Sequence, residues 1–482
     1  QFIFNRVIFF YIANSEYVAA SIISIHLAGF WVGTLVARRW RLDGGTLVAL
    51  SVLVTLAANI VVWRIGATVI GLPMTVMAAV FCGLVLAALS GALIVGLMGE
   101  KSDDGRGVVI ADSAGSVLGA VIGGFILIPQ FGLSIAFAVV LALQSVTLLF
   151  LTVLCRPRPA VAAAMLAPVV LAVGIMLPGD RTLSRDMIVT DGLPIEWAAS
   201  GQTELLYSAP SPYGLVSVLM GDDDHKALLI DNRPLCGTSP DGLEQLSEWA
   251  VGATPMTMTA LNPRPDRLVA NVGLGCGLTL AAMLGGLPEE GRLDLIEINP
   301  GMPVAQKQFW ADLPHTPEDG RVTMHIQDGF RYFAGRNAEP LYDVVVIDLA
   351  WMQNMNATHL FSQEMYENVA RNLHDDGVLA IWSEERNPIS PVSLIIYRTL
   401  REVFPYVVVD ATSNVTLFYA SKTRADLANF LSAEAVAVSG WIAETGMKAP
   451  VNRLDDLVMN RHKFTLFGDS TFDRLFDKYR AH

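Results

Sequence analysis

The stretch Arg267–Gly277, RLVANVGLGCG, decides how the fold is read. Apolar residues from Leu268 to Val272 run into a turn that carries Gly273, Gly275 and Gly277, and the LTLAAML that follows reads as a helix. Strand, glycine turn and helix in that order form the start of a nucleotide-binding βαβ unit. The turn needs glycine because backbone must approach a ligand closely and take angles that a Cβ forbids, while the helix N-terminus offers unpaired N–H groups. About twenty residues further on, LDLIEIN brings an apolar run to Glu297, where a carboxylate can accept both hydroxyls of a ribose. A tight turn with no ligand would carry the same glycines, so the acid at this distance is what favours a nucleotide site.

Beyond that unit the pattern repeats. RVTMHIQDGFRYF, YDVVVIDLAWM, a helix around LFSQEMYENVARNL, the strand GVLAIWS, the helix PVSLIIYRTLREVF and the strands YVVVDAT and VTLFYAS follow in turn. Strands alternating with helices imply a mainly parallel, doubly wound α/β sheet over residues 263–482. Before it, residues 203–235 alternate apolar and polar positions around a GDDD turn, as in a β-hairpin, and GLEQLSEWAVGATPMTM has helical spacing. Residues 179–262 therefore form a small β-rich subdomain with a connecting helix. Asp231, Glu297, Asp328 and Asp348 stand at or just past strand ends, where such sheets bind ligands, and are expected to converge on one site.

Residues 1–178 differ in kind. The chain of 482 residues is 52% hydrophobic and 16% charged, with a mean hydropathy of +0.45. Apolar segments at 1–13, 16–37, 45–63, 67–98, 108–128, 131–154 and 159–177 are mostly long enough to cross about 30 Å of hydrocarbon. The expectation is a multi-span α-helical membrane domain, with the glycine-rich 108–128 open to a re-entrant reading. The first segment is too short to span, and the sequence is expected to lack its native beginning. Basic loops at Arg38 to Arg41, at Lys101 and Arg106, and at Arg156 and Arg158 suggest one cytoplasmic side. A multi-pass protein of a bacterial inner membrane is expected; counting every segment as a span puts the C-terminal half on the far side, yet it is expected to face the cytoplasm, where a nucleotide cosubstrate is made.

The net charge of −13 gives no basic surface for nucleic acid. Cys82, Cys155, Cys236 and Cys276 lack paired metal-site spacing, so neither a metal nor a disulfide framework is expected. Tyr213, Tyr332 and Trp351 are candidates for lining an acceptor pocket, although aromatic residues near a sheet edge are more often core. His359, without a catalytic partner nearby in sequence, reads as helix surface.

The order GLGCG, IEIN, IQDGFRYF, YDVVVIDLA, LFSQEMY and GVLAIW resembles the spermidine synthases, aminopropyltransferases on the S-adenosylmethionine methyltransferase fold. SPYGLVSV and LLIDNRP are similar to their N-terminal β-domain, and ADSAGSVLGAVIGGFILIPQFGL with NRLDDLVMN looks like a membrane-fused branch of the family. The resemblance implies that Gly273, Gly275, Cys276 and Gly277 line S-adenosylmethionine or its decarboxylated form and that Glu297 holds the ribose. It further implies that Asp328 with Gly329 reaches the adenine and that Asp348 is the catalytic acid or base. Tyr213, Asp231 and Trp351 fall on the acceptor side, and no metal is implied.

Two positions depart from the family pattern. Aspartates that bind the amino ends of cosubstrate and polyamine are replaced by Cys276 and Trp351. The expectation drawn from this is that intact S-adenosylmethionine is accepted and that putrescine is a poor acceptor. Three functions follow: a membrane-bound transferase attacking the three-carbon arm and releasing methylthioadenosine, a methyltransferase on a membrane-resident acceptor, or a ligand-sensing transporter or scaffold. The partners are then a small-molecule amine or a membrane-resident acceptor and the lipid bilayer, with homo-oligomerisation left open.

Overall fold

The computed structural model describes residues 16–40, 105–127 and 204–459, apart from 212, 221–225, 231–232, 238–242, 261–263, 310–314, 337–340, 350–356, 386 and 412–414, with isolated positions between 84 and 146. The chain divides into two compact units, Gln1–Pro234 and Leu235–His482.

In the first unit, α1 (Glu16–Trp40) and α2 (Gly105–Val121), which runs on as a π-helical turn (Ile122–Leu127), precede a small sheet. Among the described residues no helix is long and apolar enough to cross a membrane. This corrects both the expected multi-span domain and the multi-pass inner-membrane placement. Two physical reasons stand out. The 17 residues of α2 rise only ~25 Å, short of the hydrocarbon thickness. Apolar runs also serve helix packing: a Cβ on Gly29 would lie 2.5 Å from the Leu84 carbonyl and 2.8 Å from Ala87 Cβ, while one on Gly33 or Gly91 would collide with the backbone of Ala88 or Phe30. The expected spans at 45–63 and 159–177, and nearly all of those at 67–98 and 131–154, lie outside the described residues.

The hairpin expected over 203–235 is a four-stranded sheet in the order β1 (Glu204–Ser211), β2 (Gly214–Met220), β3 (Lys226–Ile230), β4 (Arg233–Gly237). β1 pairs antiparallel with β2, and β2 with β3. Alternation buries Leu219, Ala227 and Leu229 together, with Leu205 packed against them.

The second unit begins with α3 (Leu243–Thr259), followed by β5 (Leu268–Val272), α4 (Leu278–Gly285), β6 (Arg292–Glu297), α5 (Met302–Phe309), β7 (Val322–Ile326), α6 (Gly329–Ala334) and β8 (Tyr342–Asp348). A 3-10 turn (Thr358–Phe361), α7 (Gln363–Asn372), β9 (Leu373–Ser383), α8 (Pro391–Val403), β10 (Tyr406–Asp410), β11 (Thr416–Ser421) and α9 (Ala433–Gly446) complete it. The seven strands lie in the order β10-β11-β9-β8-β5-β6-β7. β5 to β9 run parallel, whereas β11 is antiparallel to both β9 and β10, so the sheet is mixed.

Local chemistry accounts for these boundaries. Ser362 starts α7 by accepting the Met365 N–H, and Ser390 starts α8 by accepting that of Ser393, with Pro391 at the first turn, where no N–H is needed. β5 and β8 are largely apolar and buried, Asn271 and Asp343 included, because both faces of the sheet are covered. Phe333, Phe361, Tyr366, Phe404 and Phe418 fill the core on one side, and each buried aromatic ring removes a large apolar area from water.

Candidate active site

The order of strands sets the position of the site. β5 lies between β6 and β8, and the connection from β5 goes toward β6 while β8 begins the other half of the sheet, so the ends of β5 and β8 form the switch point where such sheets bind ligands. The turn Gly273–Gly277 and Asp348 both lie there.

Gly273, Gly275 and Gly277 have φ of +96°, +50° and +87°. The glycines predicted from sequence thus occupy left-handed backbone, where a Cβ is strained. At Gly273 sterics add to the requirement, since a Cβ would collide with the Asp348 carbonyl. The turn is drawn onto the sheet by the Gly273 N–H, which donates to the Ile296 carbonyl at 2.8 Å. Beneath it, fully buried Gln306 on α5 packs against Gly277, and its carboxamide atoms have no hydrogen-bond partner among the described residues.

Glu297 ends β6 and is buried. Its Oε2 accepts the Leu274 N–H at 2.9 Å and its Oε1 the Asn299 N–H at 2.7 Å. Burial pushes the carboxyl up, and these backbone donors with that of Ile298 oppose the shift. A carboxylate has about four lone-pair sites, so with three backbone donors about one site remains, enough for a ribose hydroxyl.

Asp328 follows β7 and caps α6, its Oδ1 accepting the Arg331 N–H at 2.9 Å. Its Oδ2 lies 2.9 Å from Nε2 of His359. Burial works against its ionisation, but the His359 bond, the Arg331 N–H and the charges of both residues hold the carboxyl below its ordinary value. His359, read from sequence as helix surface, is instead the second residue of the 3-10 turn and a direct partner of the Asp328 carboxylate. A separation of 31 residues hides that pairing from sequence inspection. Gly329, immediately after Asp328, is buried and packs on Val272.

Asp348 closes β8 and is half-buried. Burial raises its carboxyl to about 6, partly opposed by a hydrogen bond with Thr279 of α4. The one hydroxyl proton of Thr279 is shared with the Glu248 carbonyl, 2.8 Å from Oγ1, so α3 and α4 jointly hold the hydroxyl beside the acid. Thr279 had no motif to announce it.

Cys276 is joined to Cys236 of β4 by a disulfide, with Cα atoms 6.3 Å apart, and both residues are buried. This corrects the expectation drawn from cysteine spacing. Tyr332 belongs to the core, where its hydroxyl and that of Tyr342 each donate to Oδ2 of Asp294 at 2.7 Å. Tyr213, in the first unit, is 46% exposed, and its N–H donates to Ser211 Oγ. Asp231 and Trp351 lie outside the described residues.

Residues 270–425 match the model of the spermine/spermidine synthase domain, a segment containing the glycine turn, Glu297, Asp328 and Asp348. The polyamine aminopropyltransferase of Moorella thermoacetica is 32% identical over 204 residues, 42% of this chain and 68% of that protein. Those of Methanocaldococcus jannaschii and Streptococcus pneumoniae are 29% and 28% identical and cover 42% and 36% of this chain. The chain spans 57% of the length of the Streptococcus relative. A solved spermidine synthase from Thermotoga maritima is similar at 19% identity and a TM-score of 0.38, over 55% of this chain and 84% of that one. On the identity and coverage of these relatives, the chain belongs to the spermine/spermidine synthase family.

Proposed function

We propose that the protein transfers an aminopropyl group from decarboxylated S-adenosylmethionine to an amine such as putrescine, releasing methylthioadenosine. The observation that carries this reading is Asp348: a carboxylate raised to about 6, at a strand end against the glycine turn, is a base matched to neutral pH. The amine nitrogen attacks the carbon bound to the sulfonium. A C–N bond forms, the C–S bond breaks, its electron pair neutralises sulfur, and Asp348 takes the ammonium proton. Because sulfonium is already a good leaving group, alignment and deprotonation are what the protein must supply.

In this reading Gly273, Gly275, Cys276 and Gly277 hold the cosubstrate, and Glu297 accepts from the ribose. Asp328 and Gly329 take the adenine, while Tyr213, Asp231 and Trp351 serve the acceptor. The names of the relatives favour a polyamine acceptor, which argues against the expectation that putrescine reacts poorly. A second reading draws on the disulfide. Cys276 presents a neutral group where the family resemblance implies an aspartate, and a neutral group neither attracts the amino end of the arm nor repels the carboxylate of intact S-adenosylmethionine.

Incubation of the full chain with putrescine and either cosubstrate tests the proposal by product analysis. Spermidine and methylthioadenosine from the decarboxylated form support it, and methylthioadenosine from intact S-adenosylmethionine alone supports the second reading. S-adenosylhomocysteine, or no product from either, sinks both.

A further inference from the structure

We propose that His359 is a positioning residue that orients Asp328 and thereby sets the preference of the site for a 6-aminopurine over a 6-oxopurine. The proposal builds on the reading of Asp328 as the adenine acceptor and adds to it a residue that no motif of the chain assigns.

Backbone and side-chain contacts together fix Asp328. Gln327 donates its N–H to the Glu297 carbonyl at 3.1 Å, and Glu297 pairs with Ile326 across the β6–β7 ladder. Asp328 is therefore held on the same rim of the sheet as the ribose acid. The helix cap engages Oδ1 alone, and a carboxylate held through one oxygen still swings about χ2, a broad torsion. The bond from His359 Nε2 to Oδ2 engages the second oxygen. With a donor on each side the carboxylate plane is set, and the remaining lone pairs point in one direction.

His359 can perform this role only if it is itself fixed, and its backbone is. Fully buried Asn452 donates from Nδ2 to the carbonyls of Thr358 at 3.2 Å and Phe361 at 3.1 Å, which bracket His359. Ser362 Oγ donates to the His359 carbonyl at 2.7 Å, and the Phe330 ring stands edge-on at 6.1 Å from the imidazole. The side chains of Asp328 and His359 keep 20% and 26% of their surface exposed, so the pair faces an accessible rim.

The chemistry of the choice follows. An ionised carboxylate accepts hydrogen bonds and cannot donate. It matches the exocyclic amino group of adenine and opposes the lone pairs of a 6-oxo group, and a site built for one hydrogen bond rejects an analogue that leaves it unpaired. Discrimination of this kind is lost when the acceptor is free to turn away. His359 also stabilises the ionised form of Asp328, so its removal weakens orientation and charge together.

Binding of 5′-methylthioadenosine and 5′-methylthioinosine to the full chain tests this, with wild type, His359→Ala, His359→Gln and Asp328→Asn compared by calorimetry. The wild type is expected to prefer the amino compound by about tenfold or more, as for a hydrogen bond to a charged group. His359→Ala is expected to reduce that ratio to about twofold while leaving the inosine affinity nearly unchanged. His359→Gln, whose Nε2 can donate to the same oxygen, restores most of the ratio. A wild-type ratio in a folded His359→Ala protein overturns the proposal, as does failure of His359→Gln to exceed the alanine variant. If the wild type itself shows no preference, Asp328 does not read the base, and both statements fall.

Discussion

Leu274 donates its backbone N–H to Oε2 of Glu297 across 2.9 Å, so the acid proposed to hold a ribose also clamps the glycine turn on the sheet. Replacing Glu297 with alanine should therefore have two effects at once. Cosubstrate binding should weaken by about 1.5–3 kcal/mol, as for hydrogen bonds to a charged acceptor, and stability should fall because two buried N–H groups lose their partner. Calorimetry and thermal melts together check this. Unchanged affinity in a destabilised variant would leave Glu297 a purely structural clamp.

Asp348 separates catalysis from stability. Its folded-state carboxyl titrates near 6, above the ordinary 3.8, so the folded chain holds a proton that the unfolded chain releases between those values. The contribution of this group to stability is fully present below about 4 and is lost as pH rises through about 6. Asp348→Asn should thus be neutral or stabilising at pH 7, yet cut turnover by about 10²–10⁴. Wild-type turnover should rise with pH through about 6. Turnover of the asparagine variant at the wild-type rate would remove Asp348 from the mechanism.

Thr279→Val tests the same group from the other side. Thr279 lowers the Asp348 carboxyl through a hydrogen bond, so its loss should move the acidic limb of the pH–rate profile toward alkaline values. A limb that stays in place would mean that another group controls it.

Gly273 and Gly275 should respond differently to a side chain. A Cβ at Gly273 meets the Asp348 carbonyl and a φ of +96°, whereas Gly275 has open space and a φ of +50° that asparagine tolerates. Gly273→Ala is expected to cost more than the ~1–3 kcal/mol of backbone strain alone and to abolish cosubstrate binding. Gly275→Asn should fold with nearly normal stability. Equal melting temperatures for the two variants would contradict this geometry of the turn.

The Cys236–Cys276 link closes a separation of 40 residues. In the chain-entropy account a loop of this size contributes about 4 kcal/mol. Cys236→Ser, or treatment with a dithiol reductant, should lower the denaturant midpoint accordingly. The Cys236→Ser variant should then show no further response to reductant.

Much of the second unit was legible in the sequence because its cues are local. Largely apolar stretches at β5 and β8 mark strands buried on both faces, and helical spacing marks the helices around LFSQEMYENVARNL and PVSLIIYRTLREVF. The final strands were also found, but their direction was not, since β11 turns antiparallel through its pairing with β9 rather than through its own composition. The membrane reading failed for a related reason. Hydropathy reports that a segment is apolar, not that it forms a helix long and apolar enough to cross lipid, and no helix among the described residues does so.

What the sequence determined by itself is the glycine turn, the alternation of strands and helices, and carboxylates at strand ends, because glycine backbone freedom and side-chain periodicity act over a few residues. The tertiary structure alone decided how those groups are partnered. Leu274 meets Glu297 across 23 residues, His359 meets Asp328 across 31, and Cys236 meets Cys276 across 40. No local preference encodes such pairs. They form only once the sheet order has brought distant strand ends to a common rim, and packing then fixes which side chains share it.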